Sequence, residues 1–210
     1  MTIQWRSFLM KFLFAITNIV YLNILWLLFS LLGLVIFGFA PASVALIKSL
    51  EGFHLDADYI PIKVFFTYYK EAFKKTNQLQ LIYLTAILSL FFSSRILITL
   101  MNVTGIIPIF YLTVMVILIF MNSMSLQSFL FYPYMKIIER FKLSLFLFMR
   151  YPLSFLPIIF TGIGCYTIIS IKSAFFIFIG ASLPIAIIAY LQGKIFNKFI
   201  ADFPDFGVLQ

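Results

Sequence analysis

The sequence predicts an all-α fold: one polytopic membrane domain over residues 1–210, with five transmembrane helices and amphipathic cytoplasmic interfacial helices. Three observations carry this. Hydrophobic residues make up 63% of the 210-residue chain and charged ones only 10%, with a mean hydropathy of +1.10, whereas soluble domains are about half apolar and a quarter charged. Long apolar runs recur, each near the ~20 residues that cross ~30 Å of hydrocarbon. All seven acids (Glu51, Asp56, Asp58, Glu71, Glu139, Asp202 and Asp205) fall outside those runs.

In chain order, "QWRSFLMKFLF" (4–14) reads as an interfacial turn of helix, with Trp5, Arg6 and Lys11 suited to the headgroup region. The first span covers 17–39. Its apolar run, 12–40, is too long for the ~7–15-residue core of a signal peptide, so it is expected to be retained. Pro41 then opens a short cytoplasmic helix, 41–51, and a polar turn, "HLDAD", follows.

Pro61 opens the next cytoplasmic helix, 61–76. Ile62, Phe65, Phe66, Tyr69, Ala72 and Phe73 recur at helical spacing and form one apolar face. Lys63, Lys70 and Lys74 form a separate stripe, and Glu71–Lys75 is a favourable i,i+4 pair. Such a helix is expected to lie flat on the membrane, aromatics inward and lysines toward headgroups or a partner. Spans two and three cover 81–101 and 106–127. Pro133 precedes a third cytoplasmic helix, 134–150, on which Lys136, Glu139, Arg140 and Arg150 share a face. Spans four and five cover 152–171 and 174–193.

Lys and Arg set the expected orientation. The 41–80 and 128–151 loops with the C-terminus hold Lys48, Lys63, Lys70, Lys74, Lys75, Lys136, Arg140, Lys142, Arg150, Lys194 and Lys198. The opposite side holds Arg6, Lys11, Arg95 and Lys172. Basic loops stay in the cytoplasm, so the N-terminus is expected outside and the C-terminus inside. The net charge of +8 is accordingly matched to anionic lipid rather than nucleic acid.

Little in the sequence points to chemistry. There is no Walker A motif, HExxH or CxxC. Cys165 lies in an apolar run and reads as a small buried hydrophobe; His54, the only histidine, reads as a surface residue without metal-ligating partners. No catalytic, cofactor-binding or metal-ligating residue is therefore assigned. A coupled transporter usually keeps a carboxylate within its spans, and these spans have none. Arg95 is their one charge, either snorkelling to outer headgroups or meeting a substrate. Gly33, Gly38, Gly162, Gly164, Gly180 and Pro184 read as close helix packing or as the broken helices of a transport site. The polar residues Asn18, Asn23, Ser30, Ser89, Asn122 and Ser123 read as interhelical hydrogen-bonding groups.

Two stretches resemble the YesL family of bacterial membrane proteins, a domain-of-unknown-function family. In "LNILWLLFSLLGLVIFGFAPASVALIKSL" (22–50) the matching positions are Asn23, Trp26, Gly33, Gly38, Pro41, Ala42 and Ala45. In "VFFTYYKEAFKKTNQL" (64–79) they are Phe65, Phe66, Tyr69, Lys70, Phe73 and Asn77. Many relatives carry Leu-Pro-x-x-Thr in the first span; this chain has Leu32-Gly33-Leu34-Val35-Ile36, so no role for that threonine carries over. The resemblance implies a bacterial plasma-membrane protein. It also implies an accessory role beside carbohydrate ABC importers, whose genes often neighbour those of the family. The expected function is thus non-enzymatic, with membrane lipids and a carbohydrate ABC transporter as partners. Lys63, Lys70, Lys74, Lys75, Lys136, Arg140 and Arg150 are the expected contacts. The alternative is a small permease for a sugar or similar solute, with a path near Asn18, Asn23, Trp26 and Asn122.

Overall fold

A computed structural model describes residues 2–51, 60–102, 104–171, 180 and 182–204. His54 lies outside these residues. The described residues form seven α-helices and no strand: α1 (Thr2–Leu32), α2 (Phe39–Glu51), α3 (Ile62–Leu100), α4 (Ile106–Phe131), α5 (Ile137–Arg150), α6 (Leu156–Ile171) and α7 (Ser182–Asp202), with a 3-10 turn at Pro152–Phe155. Proline positions explain several starts. Pro41, Pro108, Pro157 and Pro184 each stand in a first helical turn, where the missing N–H would have had no intrahelical partner. Pro184 therefore stands in the first turn of α7.

Three helices are long and apolar enough to cross a membrane: Leu13–Leu32, Ile62–Leu100 and Ile106–Phe131. Helix α5 and Pro152–Gly164 make a fourth candidate, sharply bent by 109°. The expected five spans thus become three, or four with the bent pair, among the described residues. The expected span 174–193 lies partly outside them, and its described part belongs to α7, which continues to Asp202.

The separate interfacial helix expected at 61–76 is corrected too. Helix α3 runs unbroken for 39 residues, about 58 Å at 1.5 Å per residue. Nothing between Thr76 and Leu81 ends it, since Asn77 and Gln78 are tolerable helix residues and no Gly or Pro intervenes. The helix expected at 134–150 also starts later, at Ile137. Its first turn is capped by Glu139, whose carboxylate accepts the Lys136 backbone N–H at 3.1 Å.

Side-chain contacts fix the helix directions. The Tyr21 hydroxyl donates to the Ile60 carbonyl at 3.1 Å, and the Phe29 ring lies 5.2 Å from both Phe65 and Tyr69. Rising numbers on α1 meet rising numbers on α3, so these helices run parallel. Helix α2 is antiparallel to both. Trp26 meets Ser43, Gly38 lies against Ser30, and Lys48 pairs with Glu71 at 3.5 Å. Helix α4 returns along α3, with Asn122 on Gln80 at 3.1 Å.

Two apolar cores result. One joins Leu22, Leu25, Trp26 and Phe29 to Ala42, Ala45 and Leu46 and to Phe65 and Tyr69. The other joins Leu79, Tyr83, Phe120, Met124, Leu147 and Phe196, among others. Helix α2, buried almost throughout, is the central element and touches α1, α3, α4 and α7. Its small residues, Ala40, Ala42, Ser43 and Ala45, allow that close approach.

Candidate functional site

The two family-like blocks fold onto each other. The Asn23 side-chain Oδ1 accepts the Ser182 backbone N–H at 2.9 Å, tying α1 to the start of α7. The Trp26 indole donates to the Ser43 hydroxyl at 3.1 Å and meets the Phe39 ring edge-on at 5.5 Å. It is 6% exposed, so it packs rather than offering a face for stacking. Pro41 is buried in the first turn of α2.

Gly33 and Gly38 close the α1–α2 turn. A methyl group at Gly33 would stand 2.3 Å from the Gly38 Cα, and one at Gly38 would stand 2.2 Å from the Ser30 carbonyl oxygen. These two glycines are needed for close approach. Gly162 and Gly164 are different: no atom of the described residues stands within 4 Å of a methyl group at either.

On α3 the expected apolar face divides in two. Phe65, Tyr69 and Ala72 are buried against protein, while Ile62, Phe66 and Phe73 are exposed. Asn77 is buried, and neither side-chain amide atom has a hydrogen-bond partner among the described residues; the same holds for Asn18. Lys63, Lys70, Lys74 and Lys75 are exposed, as are Lys136 and Arg150.

Arg140 is a correction. Expected as a lipid or partner contact, it is 0% exposed. Its guanidinium donates to the Ser128 hydroxyl at 2.7 Å, the Met135 carbonyl at 3.2 Å and the carbonyls of Tyr132 and Pro133. It also stacks 3.7 Å from the Phe129 ring centroid. The α4–α5 turn thereby wraps a cation whose fork of donors suits several carbonyls at once. Sequence periodicity placed Arg140 beside the exposed Lys136 and could not see the turn folding over it.

The basic surface includes a cleft of about 270 Å³ between α2, α3 and the α4–α5 turn, lined by Lys48, Glu71, Lys75, Phe129, Pro133 and Tyr134, among others. Lys48 also lies 5.3 Å from the Tyr68 ring centroid, and Lys75 approaches the Pro133 carbonyl at 3.5 Å. Ammonium groups over an apolar and aromatic floor suit a lipid phosphate or an acidic partner surface.

Deeper in the bundle lies an uncharged polar seam. Ser123 and Gln192 exchange hydrogen bonds at 2.9 and 3.2 Å. Gln127 donates to the Ala189 carbonyl at 3.3 Å, and the Tyr83 hydroxyl bridges Ser125 and Ser144 at 3.0 and 3.2 Å. A cleft of about 210 Å³ touches Asn122, Ser123, Gln127 and Gln192 among mostly apolar residues. A neighbouring one, about 370 Å³, shares Ile47, Gln127 and Ala189 with it and reaches Glu51 and Lys194. Asn23 lines neither, so they do not follow the expected path from Asn23 to Asn122. The sequence reading missed Gln80, Gln127, Gln192 and Tyr83. Their signal was available, since polar side chains inside apolar helices are costly and must find partners.

Three long apolar helices with buried polar cross-links describe a multi-pass membrane protein. Residues 19–94 match the sequence profile of a family described as a protein of unknown function, DUF624. Curated Bacillus subtilis (strain 168) proteins are similar over part of their length. Uncharacterized protein YesL is 40% identical over 82 residues, 39% of this chain and 39% of YesL. Uncharacterized protein YesV is 38% identical over 77 residues, 36% and 37% of the two chains. Uncharacterized protein YteU is 38% identical over 72 residues, 34% and 32% of the two chains. The chain thus spans less than two fifths of the length of the curated relatives it matches. No solved structure matches. The profile match runs from α1 through most of α3, and so takes in both family-like blocks.

Proposed function

We propose that this chain is a non-enzymatic accessory subunit that docks on another membrane protein through its lysine-bearing face, which lies in the cytoplasm of a bacterial plasma membrane. One observation carries the reading. The stretch matched by the family profile, residues 19–94, builds a packed unit of α1, α2 and α3 whose outward surface carries Lys63, Lys70, Lys74 and Lys75. A long, exposed, basic helix end held against the buried α2 suits contact with an acidic partner surface or anionic headgroups. The choice of a carbohydrate ABC importer as partner rests on the family resemblance.

Affinity purification from native membranes tests this, comparing wild type with Lys63→Glu/Lys70→Glu/Lys74→Glu. Importer subunits should accompany the wild type and be lost from the triple variant. Equal recovery with both, or none with either, overturns the reading.

The uncharged cleft at Asn122, Ser123 and Gln192 favours a second reading, a permease for a neutral solute. Proteoliposomes taking up labelled sugar no faster than empty liposomes would count against it.

A further inference from the structure

We propose that the cleft between α2, α3 and the α4–α5 turn binds the phosphate of an anionic membrane phospholipid, held by Lys48 and Lys75. The site stands apart from the docking reading, whose test changes Lys63, Lys70 and Lys74.

Charge carries the proposal. The Pro133 carbonyl oxygen accepts from two cations at once, the Arg140 guanidinium at 3.2 Å and the Lys75 ammonium at 3.5 Å. Pro133 and Phe129 line the cleft, and the guanidinium lies behind them, 3.7 Å from the Phe129 ring centroid. Like charges brought to one oxygen repel unless an anion lies beside them. Among the described residues neither cation pairs with a carboxylate. The Glu139 carboxylate, next to Arg140 in sequence, is held on the Lys136 N–H. Glu71 is the acid that lines the cleft, and it pairs with Lys48 instead. The cleft is thus left with positive charge that no acid balances. Lys48 and Lys75 reach Glu71 and Pro133 only at 3.5 Å, so both keep donors for phosphate oxygens.

The two spans set the depth. Between Lys75 and Arg95, α3 carries no charge. Residues 76–94 rise about 28 Å, close to the ~30 Å hydrocarbon core. Helix α4 returns alongside with no charged residue from Ile106 to Phe131. Lys75 stands at the edge of the uncharged stretch of α3, and Pro133 stands just past the end of α4. Both walls of the cleft therefore lie where a helix leaves hydrocarbon. Tyr134, 88% exposed, is a residue type enriched at that level. Val44, Ala72 and Phe129 add an apolar side against which the lipid glycerol can rest. A lipid phosphate already resides at this depth, whereas the carboxylates of an acidic protein would have to reach down to it.

The test titrates the full-length protein in neutral detergent with phosphatidylglycerol, read by thermal unfolding and by native mass spectrometry. Phosphatidylglycerol should raise the melting temperature and stay bound; phosphatidylcholine with the same chains should do neither. Lys48→Gln/Lys75→Gln should weaken binding at least about 5-fold, the effect of one lysine at an anionic surface. Lys63→Gln/Lys70→Gln loses the same charge and should bind like wild type. Glu71→Gln should tighten binding, since it frees Lys48 and removes the acid of the cleft; this change decides the matter if the first double variant does not fold. Inorganic phosphate should not displace the lipid. Equal weakening in both double variants means diffuse surface charge, and overturns the inference. So do equal binding of the two lipids, binding by Glu71→Gln that is unchanged or weaker, and displacement by inorganic phosphate, which would make the ligand a free anion. A wild type that shows no lipid-dependent shift overturns it too, and leaves this face to a protein partner.

Discussion

Replacing Arg140 should damage the fold rather than a contact with lipid or partner. Arg140→Ala removes donors to the Ser128 hydroxyl and the carbonyls of Tyr132, Pro133 and Met135, together with the stack on Phe129. Hydrogen bonds to a charged group contribute roughly 1.5–3 kcal/mol each. Pro133 is exposed and Tyr132 half-buried, so water recovers part of the loss at those two carbonyls. The bonds to Ser128 and Met135, both buried, then set the cost at about 3–6 kcal/mol. For a chain of this size one kcal/mol shifts the melting temperature by about 2–4 °C, so a drop of roughly 10 °C is expected. Thermal unfolding of the detergent-solubilised protein, followed by size-exclusion chromatography, measures it. Arg140→Lys should lie between wild type and alanine, because one ammonium replaces only part of the fork. Lys136→Ala and Arg150→Ala, both at exposed positions, should melt like wild type. If Arg140→Ala melts with these two surface variants, the buried-lock reasoning is wrong.

Three further outcomes are expected in the same assay. Gly38→Ala should be strongly destabilising, because its methyl group would meet the Ser30 carbonyl at 2.2 Å; Gly162→Ala on α6, with no atom of the described residues near its added methyl group, should be neutral or stabilising by up to about 1 kcal/mol. Phe65→Ala should cost about 3–5 kcal/mol, since Phe65 is 0% exposed, and far more than Phe66→Ala at 50% exposed; equal losses would mean the two faces of α3 are misassigned. Asn77→Leu should be neutral or stabilising, because the buried amide it removes has no hydrogen-bond partner; a marked loss of stability would reveal a bond that the structure lacks.

The all-helical, membrane-spanning character was legible because long apolar runs and seven acids kept outside them are direct consequences of the cost of polar groups in lipid. The family-like blocks were legible as well. What hydropathy cannot distinguish is lipid from protein interior, since both accept the same side chains. Phe65 and Phe66 look alike in sequence and both rings lie against Phe29, yet one is fully buried and the other half exposed. The length of α3 escaped for a related reason: a lysine-rich segment and an apolar one differ in environment but not in helix propensity. Arg140 escaped because its partners lie on a turn and on α4, and no local spacing encodes the fold-back that brings them together. The α1–α2 reversal was read as the end of a span because "LLGLVIFGF" has no polar residue to mark a turn.

The unbroken α3 has a mechanical consequence. A rod of about 58 Å with no Gly or Pro from Ile62 to Leu100 offers no hinge at which a tilt can be absorbed. A tilt of about 10° at its lysine-bearing end carries Leu100 sideways by about 10 Å, following the length set by helical rise. The α3–α4 connection moves with it. Whatever engages Lys63–Lys75 therefore acts as a lever on the far end of α3.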